Sequence, residues 1–141
     1  NAENICKLTH FDPRCVAHGI PIIATCRGMQ YINVMFGGKL WYHPKLPVTR
    51  TRGMDHQVWL VKEQRNIWVN NYHSDCIYEE GLAPCFEPLA IDRENHVVEA
   101  YGSDEMKILA LQWHPERRFE TANAYEETRK IVLDFIQKHV K

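Results

Sequence analysis

The sequence has no long apolar stretch and no concentration of one charge. None of its runs approaches the ~20 consecutive apolar residues that a membrane-spanning helix needs, and no basic segment followed by an apolar one opens the chain. Its 17 Lys and Arg residues nearly balance 18 Asp and Glu residues, for a formal net charge of −1. These absences argue against a membrane or a nucleic acid as partner, and they favour a small molecule or a protein.

Cysteine and histidine are present without the spacings that disulfide frameworks and metal sites require. The five cysteines are an odd number and form no C-x-x-C pair, and the eight histidines form no H-x-x-x-H pair. The sequence therefore predicts reduced thiols in the cytoplasm and no metal ion. It also has no repeat, low-complexity segment or linker, so residues 1–141 are expected to form a single domain.

Hydrophobic patterning predicts an α/β domain in which several strands follow one helix. Gly37 and Gly38 are expected to end that helix, and Thr121 is expected to cap the last one. The predicted elements are a helix or loop over 1–19, a strand over 20–25, a helix over 29–36, a loop over 40–53, strands over 56–61, 67–70, 86–91, 97–101 and 108–113, and a helix over 122–139.

The most informative residue is Cys26, where the first strand turns into the first helix. Gly28 would permit a sharp backbone turn there, so that the thiol is presented and not buried. The N–H groups and the positive dipole end of the helix would then face the sulfur and favour the thiolate. The backbone N–H of Arg27 would supply half of an oxyanion hole. The alternative is a buried structural cysteine.

A second group of chemical residues follows the last predicted strand, in Gln112-Trp113-His114-Pro115-Glu116. Pro115 favours an extended conformation for the histidine before it, and residues two apart in an extended segment point to the same side. His114 and Glu116 would then be neighbours, with the carboxylate holding one ring nitrogen while the other faces a nucleophile. The alternative is a surface histidine beside a solvated glutamate.

Three segments also carry a family resemblance: residues 21–40 around Cys26, residues 69–73 with the sequence VNNYH, and residues 111–116 with the sequence LQWHPE. Together they resemble the class I glutamine amidotransferase-like superfamily, and within it the γ-glutamyl-γ-aminobutyrate hydrolase type. The resemblance implies an α/β, flavodoxin-like fold with a mostly parallel central sheet flanked by helices. It also implies that Cys26, His114 and Glu116 form a triad that cleaves a small γ-glutamyl conjugate to glutamate and an amine through a γ-glutamyl thioester, without a cofactor.

The same resemblance implies that Gln30, His73, Ser74 and Asp75 contact the substrate. Two departures from the family pattern are visible. Ala24 stands where the family usually has glycine two residues before the nucleophile, and His73-Ser74-Asp75 replaces a His-x-Gln pattern. Recognition of the leaving amine is therefore expected to differ, and Asp75 would favour a cationic or hydroxyl-bearing group.

The largest departure precedes Cys26, where relatives carry further strands and helices and a Gly-Gly turn that donates the second oxyanion hydrogen bond. The N-terminal part of the fold is therefore expected to be missing here, or to be supplied by a longer or a second chain. An unpaired sheet edge would favour a homo-oligomer. Two other functions stay open: a glutaminase domain that supplies ammonia to a partner synthetase, and a non-catalytic remnant of the fold.

Overall fold

The computed structural model describes residues 14–42, 44 and 53–140. The elements, in chain order, are helix α1 (Arg14–Ala17), strand β1 (Ile22–Thr25), helix α2 (Arg27–Met35), strands β2 (His56–Leu60) and β3 (Arg65–Val69), a 3₁₀ turn (Glu79–Gly81), strands β4 (Glu87–Asp92), β5 (Val97–Ser103) and β6 (Ile108–Leu111), and helix α3 (Ala124–His139). All six predicted strands and both long helices are confirmed, with shifted ends. Most of the predicted loop over 40–53 and the first 13 residues lie outside the described residues.

The strands form one six-stranded mixed sheet in the order β1-β6-β5-β4-β2-β3. Only β1 and β6 pair in parallel, and the other four pairings are antiparallel. The expectation of a mostly parallel sheet is therefore wrong for the described strands. Parallel neighbours need a crossover of about a dozen residues or more, whereas β2–β3, β4–β5 and β5–β6 are each joined by a four-residue turn.

The two long helices cover opposite faces of the sheet. Side chains alternate across a strand, and in β6 they divide between two cores. Ile108 and Ala110 join a cluster with Met29 of α2, and Leu109 and Leu111 join a second cluster that Phe135 of α3 packs against. Strand β6 therefore has a helix over each face, which fixes the position of the residues that follow it.

Helix α3 is docked on the sheet through Trp113, two residues after β6. The Trp113 side chain is fully buried, and its indole Nε1 donates a hydrogen bond to Thr128 Oγ1 at 3.0 Å. A buried indole N–H needs such an acceptor, because leaving it unpaired costs free energy. This contact ties the segment containing His114 to the helix.

Thr121 does not cap α3. The helix begins at Ala124, and Asn123 before it adopts a left-handed conformation without a side-chain cap hydrogen bond. The backbone N–H of Thr121 instead donates to the Asp55 carboxylate at 2.8 Å, and its carbonyl accepts from Ala124 N–H. The prediction was wrong because an acceptor distant in the sequence fixes this turn. In the described part of the chain, no helix is both long and apolar enough to cross a bilayer.

Candidate active site

Cys26 lies in a strained turn between β1 and α2. Its backbone angles, φ 49° and ψ −109°, are outside the conformations that L-residues prefer. The turn is held by hydrogen bonds from Cys26 N–H to Leu111 O at 2.7 Å and from Gln30 N–H to Cys26 O at 3.2 Å. Strain of this kind costs about 1–3 kcal/mol and is concentrated at functional sites. The sulfur is thus presented by a backbone that surrounding contacts keep in place.

Gly28 does not provide the sharp turn that the sequence analysis assigned to it. The described glycines with positive φ are Gly19, Gly37 and Gly53, and the strained position is Cys26 itself. A Cβ atom at Gly28 would lie 3.8 Å from the Ala24 Cβ atom, which is an ordinary contact. The strand and the helix therefore do approach each other here, with room for the methyl group of Ala24.

Arg27 is the first residue of α2. The N–H groups in the first turn of a helix have no intrahelical acceptor, so its backbone N–H has the position expected of an oxyanion donor, and that role stays a prediction. The side chain turns along the helix, where Nη1 donates to the Tyr31 hydroxyl at 3.0 Å. This hydrogen bond raises the pKa of the Arg27 guanidinium above its ordinary value, and the group is positively charged at neutral pH with or without it.

His114 and Glu116 are neighbours, as their spacing predicts. His114 Nδ1 lies 2.9 Å and 3.2 Å from the two carboxylate oxygens of Glu116. The His114 side chain is 15% exposed, and that of Glu116 is 57% exposed. Partial burial acts to raise the pKa of the Glu116 carboxyl, but hydrogen bonds from its own backbone N–H and from His114 outweigh it and leave the pKa lowered. Glu116 is therefore an ionised partner that orients the His114 ring.

Asn70 fixes the backbone of His114. Its Oδ1 accepts a hydrogen bond from His114 N–H at 2.9 Å, and its Nδ2 donates to His114 O at 2.8 Å. Nδ2 also lies 3.3 Å from the carbonyl oxygen of Arg118. Asn70 is fully buried, so its amide replaces water for both backbone groups of His114. Asn70 belongs to the VNNYH segment, and its role as the anchor of His114 was not predicted from the sequence.

One cavity of about 420 Å³ collects the predicted residues. Seven of the eight line it, and only Glu116, behind His114, does not. The lining residues are Thr25, Cys26, Arg27, Gln30, Tyr72, His73, Ser74, Asp75, His114 and Arg117. A second cavity of similar size, about 410 Å³, is lined in part by residues of β2, β3 and β4, and its lining contains no cysteine. The thiol and the imidazole thus share a space large enough for a small ligand.

The side chains of His73 and Gln30 both contact other polar groups of the protein around the cavity. His73 Nδ1 lies 2.7 Å from Asp75 O, and its Nε2 lies 3.6 Å from Oε2 of the buried Glu99. Gln30 is buried, and its Nε2 donates to Asp75 O at 3.0 Å and to Gln112 Oε1 at 3.2 Å. These contacts shape the loop that carries Ser74 and Asp75, and direct binding of a substrate by the four residues stays a prediction.

Possible metal ligands come together outside this cavity. Atoms of His56, Asp92 and Glu99 lie within 4.8 Å of one another. The Asp92 carboxylate, however, already accepts hydrogen bonds from Glu94 N–H, Asn95 N–H and Asn95 Nδ2. Its oxygens therefore stabilise the turn that follows β4, a structural role for Asp92 that needs no ion. The absence of a metal stays a prediction.

Replacing Glu116 with Gln is expected to slow the γ-glutamyl cleavage that the family resemblance implies by about 10–100-fold, because the amide cannot stabilise a protonated His114. The overall fold should be retained, since the side chain is exposed. The pKa of Glu116 is lower in the folded protein than in the unfolded chain. The contribution of the ionised carboxylate to stability is therefore fully present above the pKa of the unfolded chain, and it is lost as the pH falls through the pKa of the folded protein. The measurement is kcat for cleavage of a γ-glutamyl amide between pH 4 and 9, for the wild type and for Glu116→Gln. An unchanged kcat at neutral pH would contradict the orienting role.

The chain is similar to a protein family and to several known proteins. Residues 10–116 match the Peptidase C26 family. The glutamine amidotransferase-like protein YvdE of Lactococcus lactis subsp. lactis is 31% identical in an alignment 117 positions long that covers 72% of this chain and 48% of YvdE. Component 2 of the aminodeoxychorismate/anthranilate synthase of Bacillus subtilis is 29% identical over 99 residues, which are 69% of this chain and 50% of that protein.

A solved structure shares the fold. The glutamine amidotransferase of Thermotoga maritima superposes with a TM-score of 0.62 at 16% identity, covering 96% of this chain and 55% of that one. The expected α/β, glutamine amidotransferase-like fold is thereby confirmed. The chain spans about half the length of YvdE and of the Bacillus protein. Because the family match extends over residues 10–116, which are most of the chain, this chain belongs to the Peptidase C26 family and carries a glutamine amidotransferase-like domain.

Proposed function

We propose that the protein hydrolyses the γ-glutamyl amide bond of a small conjugate, with Cys26 as nucleophile and His114 as acid and base. The observation that carries this proposal is the shared cavity, which the strained Cys26 and His114 both line, with Glu116 against the far side of the His114 ring. A nucleophile beside an oriented base is the arrangement of a covalent hydrolase. The Peptidase C26 match supports the same chemistry.

The reaction has two steps. The Cys26 thiolate attacks the γ-carbonyl carbon and forms a C–S bond, and backbone N–H donors, including that of Arg27, stabilise the oxyanion. Collapse of the oxyanion breaks the C–N bond, and His114 gives its proton to the departing amine. His114 then takes a proton from water, which attacks the γ-glutamyl thioester, breaks the C–S bond and releases glutamate. The thiolate is restored.

The charges around the cavity suit the zwitterionic end of a γ-glutamyl group. Arg27 and Arg117 bring positive charge to the lining of the cavity, which suits the α-carboxylate, and Asp75 brings negative charge, which suits the α-ammonium group. The Arg117 guanidinium lies 4.8 Å from the centre of the Tyr72 ring, which limits where it can move. We assign Gln30, His73, Ser74 and Asp75 to substrate binding, because all four line the cavity that Cys26 and His114 share.

A second candidate is a glutaminase that passes ammonia to a partner synthetase. It is favoured by the relative that is named as component 2 of a synthase. A glutaminase of this kind would turn over glutamine slowly alone and faster when the partner is added. We place either enzyme in the cytoplasm, because the described cysteines, Cys15, Cys26, Cys76 and Cys85, form no disulfide.

The test uses the purified protein with L-glutamine, γ-glutamyl-p-nitroanilide and α-glutamyl-p-nitroanilide, and it measures released glutamate. We expect cleavage of γ-linked substrates and none of the α-linked control, because the two differ only in which carboxyl group forms the amide. Cleavage of glutamine alone, accelerated by a synthetase, would favour the second candidate. No glutamate from any γ-glutamyl substrate would favour a non-catalytic remnant.

A further inference from the structure

The side chain of Gln112 reaches the nucleophile from the end of β6. Gln112 is fully buried, and its Nε2 lies 3.8 Å from Cys26 Sγ, within hydrogen-bond range for sulfur. Its backbone N–H donates to Glu99 O at 2.7 Å. The strand and the side chain are thus both anchored, and the amide is held against the thiol.

The hydrogen-bond network fixes which end of the amide faces the sulfur. Asp75 O is a carbonyl and can only accept, so the Gln30 atom 3.0 Å away must be its NH₂ group. The second hydrogen of that group points to Gln112, whose nearest atom at 3.2 Å must then be its oxygen. The NH₂ group of Gln112 is therefore the end directed at Cys26. Flipping either amide would place two acceptors or two donors together.

We propose that Gln112 is a further catalytic residue, which donates an N–H hydrogen bond to the Cys26 sulfur and stabilises the thiolate that attacks the substrate. Gln30 is the positioning residue that orients the amide. A catalytic role for Gln112 rests on the proposed function, whereas its hydrogen bond to the Cys26 sulfur can be tested without any substrate. Hydrogen bonds to charged groups are stronger than those to neutral ones, so the donor favours the ionised thiol.

Two variants remove the donor without removing bulk. Gln112→Glu replaces the NH₂ group by oxygen, and Gln112→Met keeps an unbranched side chain but cannot donate. Gln57→Glu is the matched control, because Gln57 is exposed on β2. Arg27, His73, Asp75, His114 and Arg117 around the cavity are the same in every variant. Because Gln112→Glu also brings a carboxylate to the thiol, the uncharged Gln112→Met is the variant that isolates the loss of the amide donor.

The measurement is the rate of Cys26 alkylation by iodoacetamide as a function of pH, read by peptide mass spectrometry. Cys85, which is exposed, is the internal reference. We expect the Cys26 rate at pH 7 to fall about 10–100-fold in both variants, with the midpoint of its pH profile displaced upward, because hydrogen bonds to charged groups have this magnitude. The Cys85 rate and the Gln57→Glu protein should be unchanged.

Unaltered Cys26 profiles in folded Gln112 variants would overturn the proposal. If neither variant folds, Gln30→Leu takes their place, because it removes the orienting hydrogen bond. We then expect a smaller fall of about 2–10-fold in the same direction, and an unaltered profile there would also overturn the proposal. Fast, Gln112-dependent alkylation without cleavage of any γ-glutamyl amide would remove the proposed function and leave this contact standing.

Discussion

Replacing Cys26 with Ala is expected to lower kcat for γ-glutamyl hydrolysis about 10⁴–10⁶-fold, the range found when the nucleophile of a catalytic triad is removed. No other described cysteine lines the cavity with His114. Alanine keeps the Cβ atom and the same backbone, and Cys26 is only partly buried. We therefore expect the free energy of unfolding to change by less than about 1 kcal/mol.

Cys85→Ala is the matched control, because Cys85 is an exposed thiol away from the site. Initial rates of glutamate release and denaturant unfolding curves are measured for the wild type and both variants. Cys85→Ala should behave as the wild type in both assays. Retention of more than about 1% of wild-type kcat by well-folded Cys26→Ala would show that another group is the nucleophile.

Replacing Trp113 with Ala is expected to destabilise the protein by about 3–5 kcal/mol, the range for truncating a buried tryptophan. Its ring fills the core between the sheet and α3, where Val58, Leu111 and Phe135 pack in the same cluster. The loss also leaves the Thr128 hydroxyl, which is buried, without the donor that it has in the folded protein. A domain of ordinary stability has about 5–15 kcal/mol, so this loss is a large fraction.

Thr128→Val separates packing from hydrogen bonding. It keeps the volume near Trp113 but removes the acceptor for the indole N–H, so we expect a loss of about 1–3 kcal/mol. Equilibrium unfolding in urea gives the free energy of unfolding of the wild type and of both variants. An equal slope m in all three proteins shows that the differences are differences in stability. If Trp113→Ala costs no more than Thr128→Val, the indole ring does not support the core as its burial indicates.

Much of the fold could be predicted from hydrophobic patterning. The continuous apolar run Ile108–Leu111 is typical of a strand that is buried on both faces. The apolar residues of α3 recur with the period of an amphipathic helix. Sheet direction was predicted wrongly because it was taken from the family resemblance and not from the connections. The four-residue turns after Leu60, Asp92 and Ser103 permit antiparallel pairing alone, and this information was present in the sequence.

The candidate site was predictable where its geometry is local. His114 and Glu116 are two residues apart, and Cys26 lies at a boundary between elements. Asn70 and Gln112 could not be identified in this way, because Asn70 is 44 residues from His114 and Gln112 is 86 residues from Cys26. Their roles depend on which side-chain atoms the folded sheet brings together. The signal that the sequence offered was a polar residue directly after an apolar strand, as Asn70 follows Val69 and Gln112 follows Leu111.

The strain at Cys26 was also beyond sequence reasoning. Glycine is the usual residue at positive φ, so the turn was assigned to Gly28. The structure instead places the left-handed conformation on the cysteine, where the hydrogen bond to Leu111 O and the start of α2 hold it. A non-glycine residue in this conformation is kept by its surroundings, which is consistent with a thiol that has a function.

The central claim is that Cys26 is an activated nucleophile in a pocket for a glutamyl group. The most direct test is intact mass spectrometry of the wild type and Cys26→Ala before and after incubation with a diazo-ketone analogue of glutamine, followed by peptide mapping. We expect a single adduct, located on Cys26, that excess L-glutamine suppresses and that Cys26→Ala does not form. An unmodified wild-type protein, or labelling spread over the other cysteines, would contradict the claim.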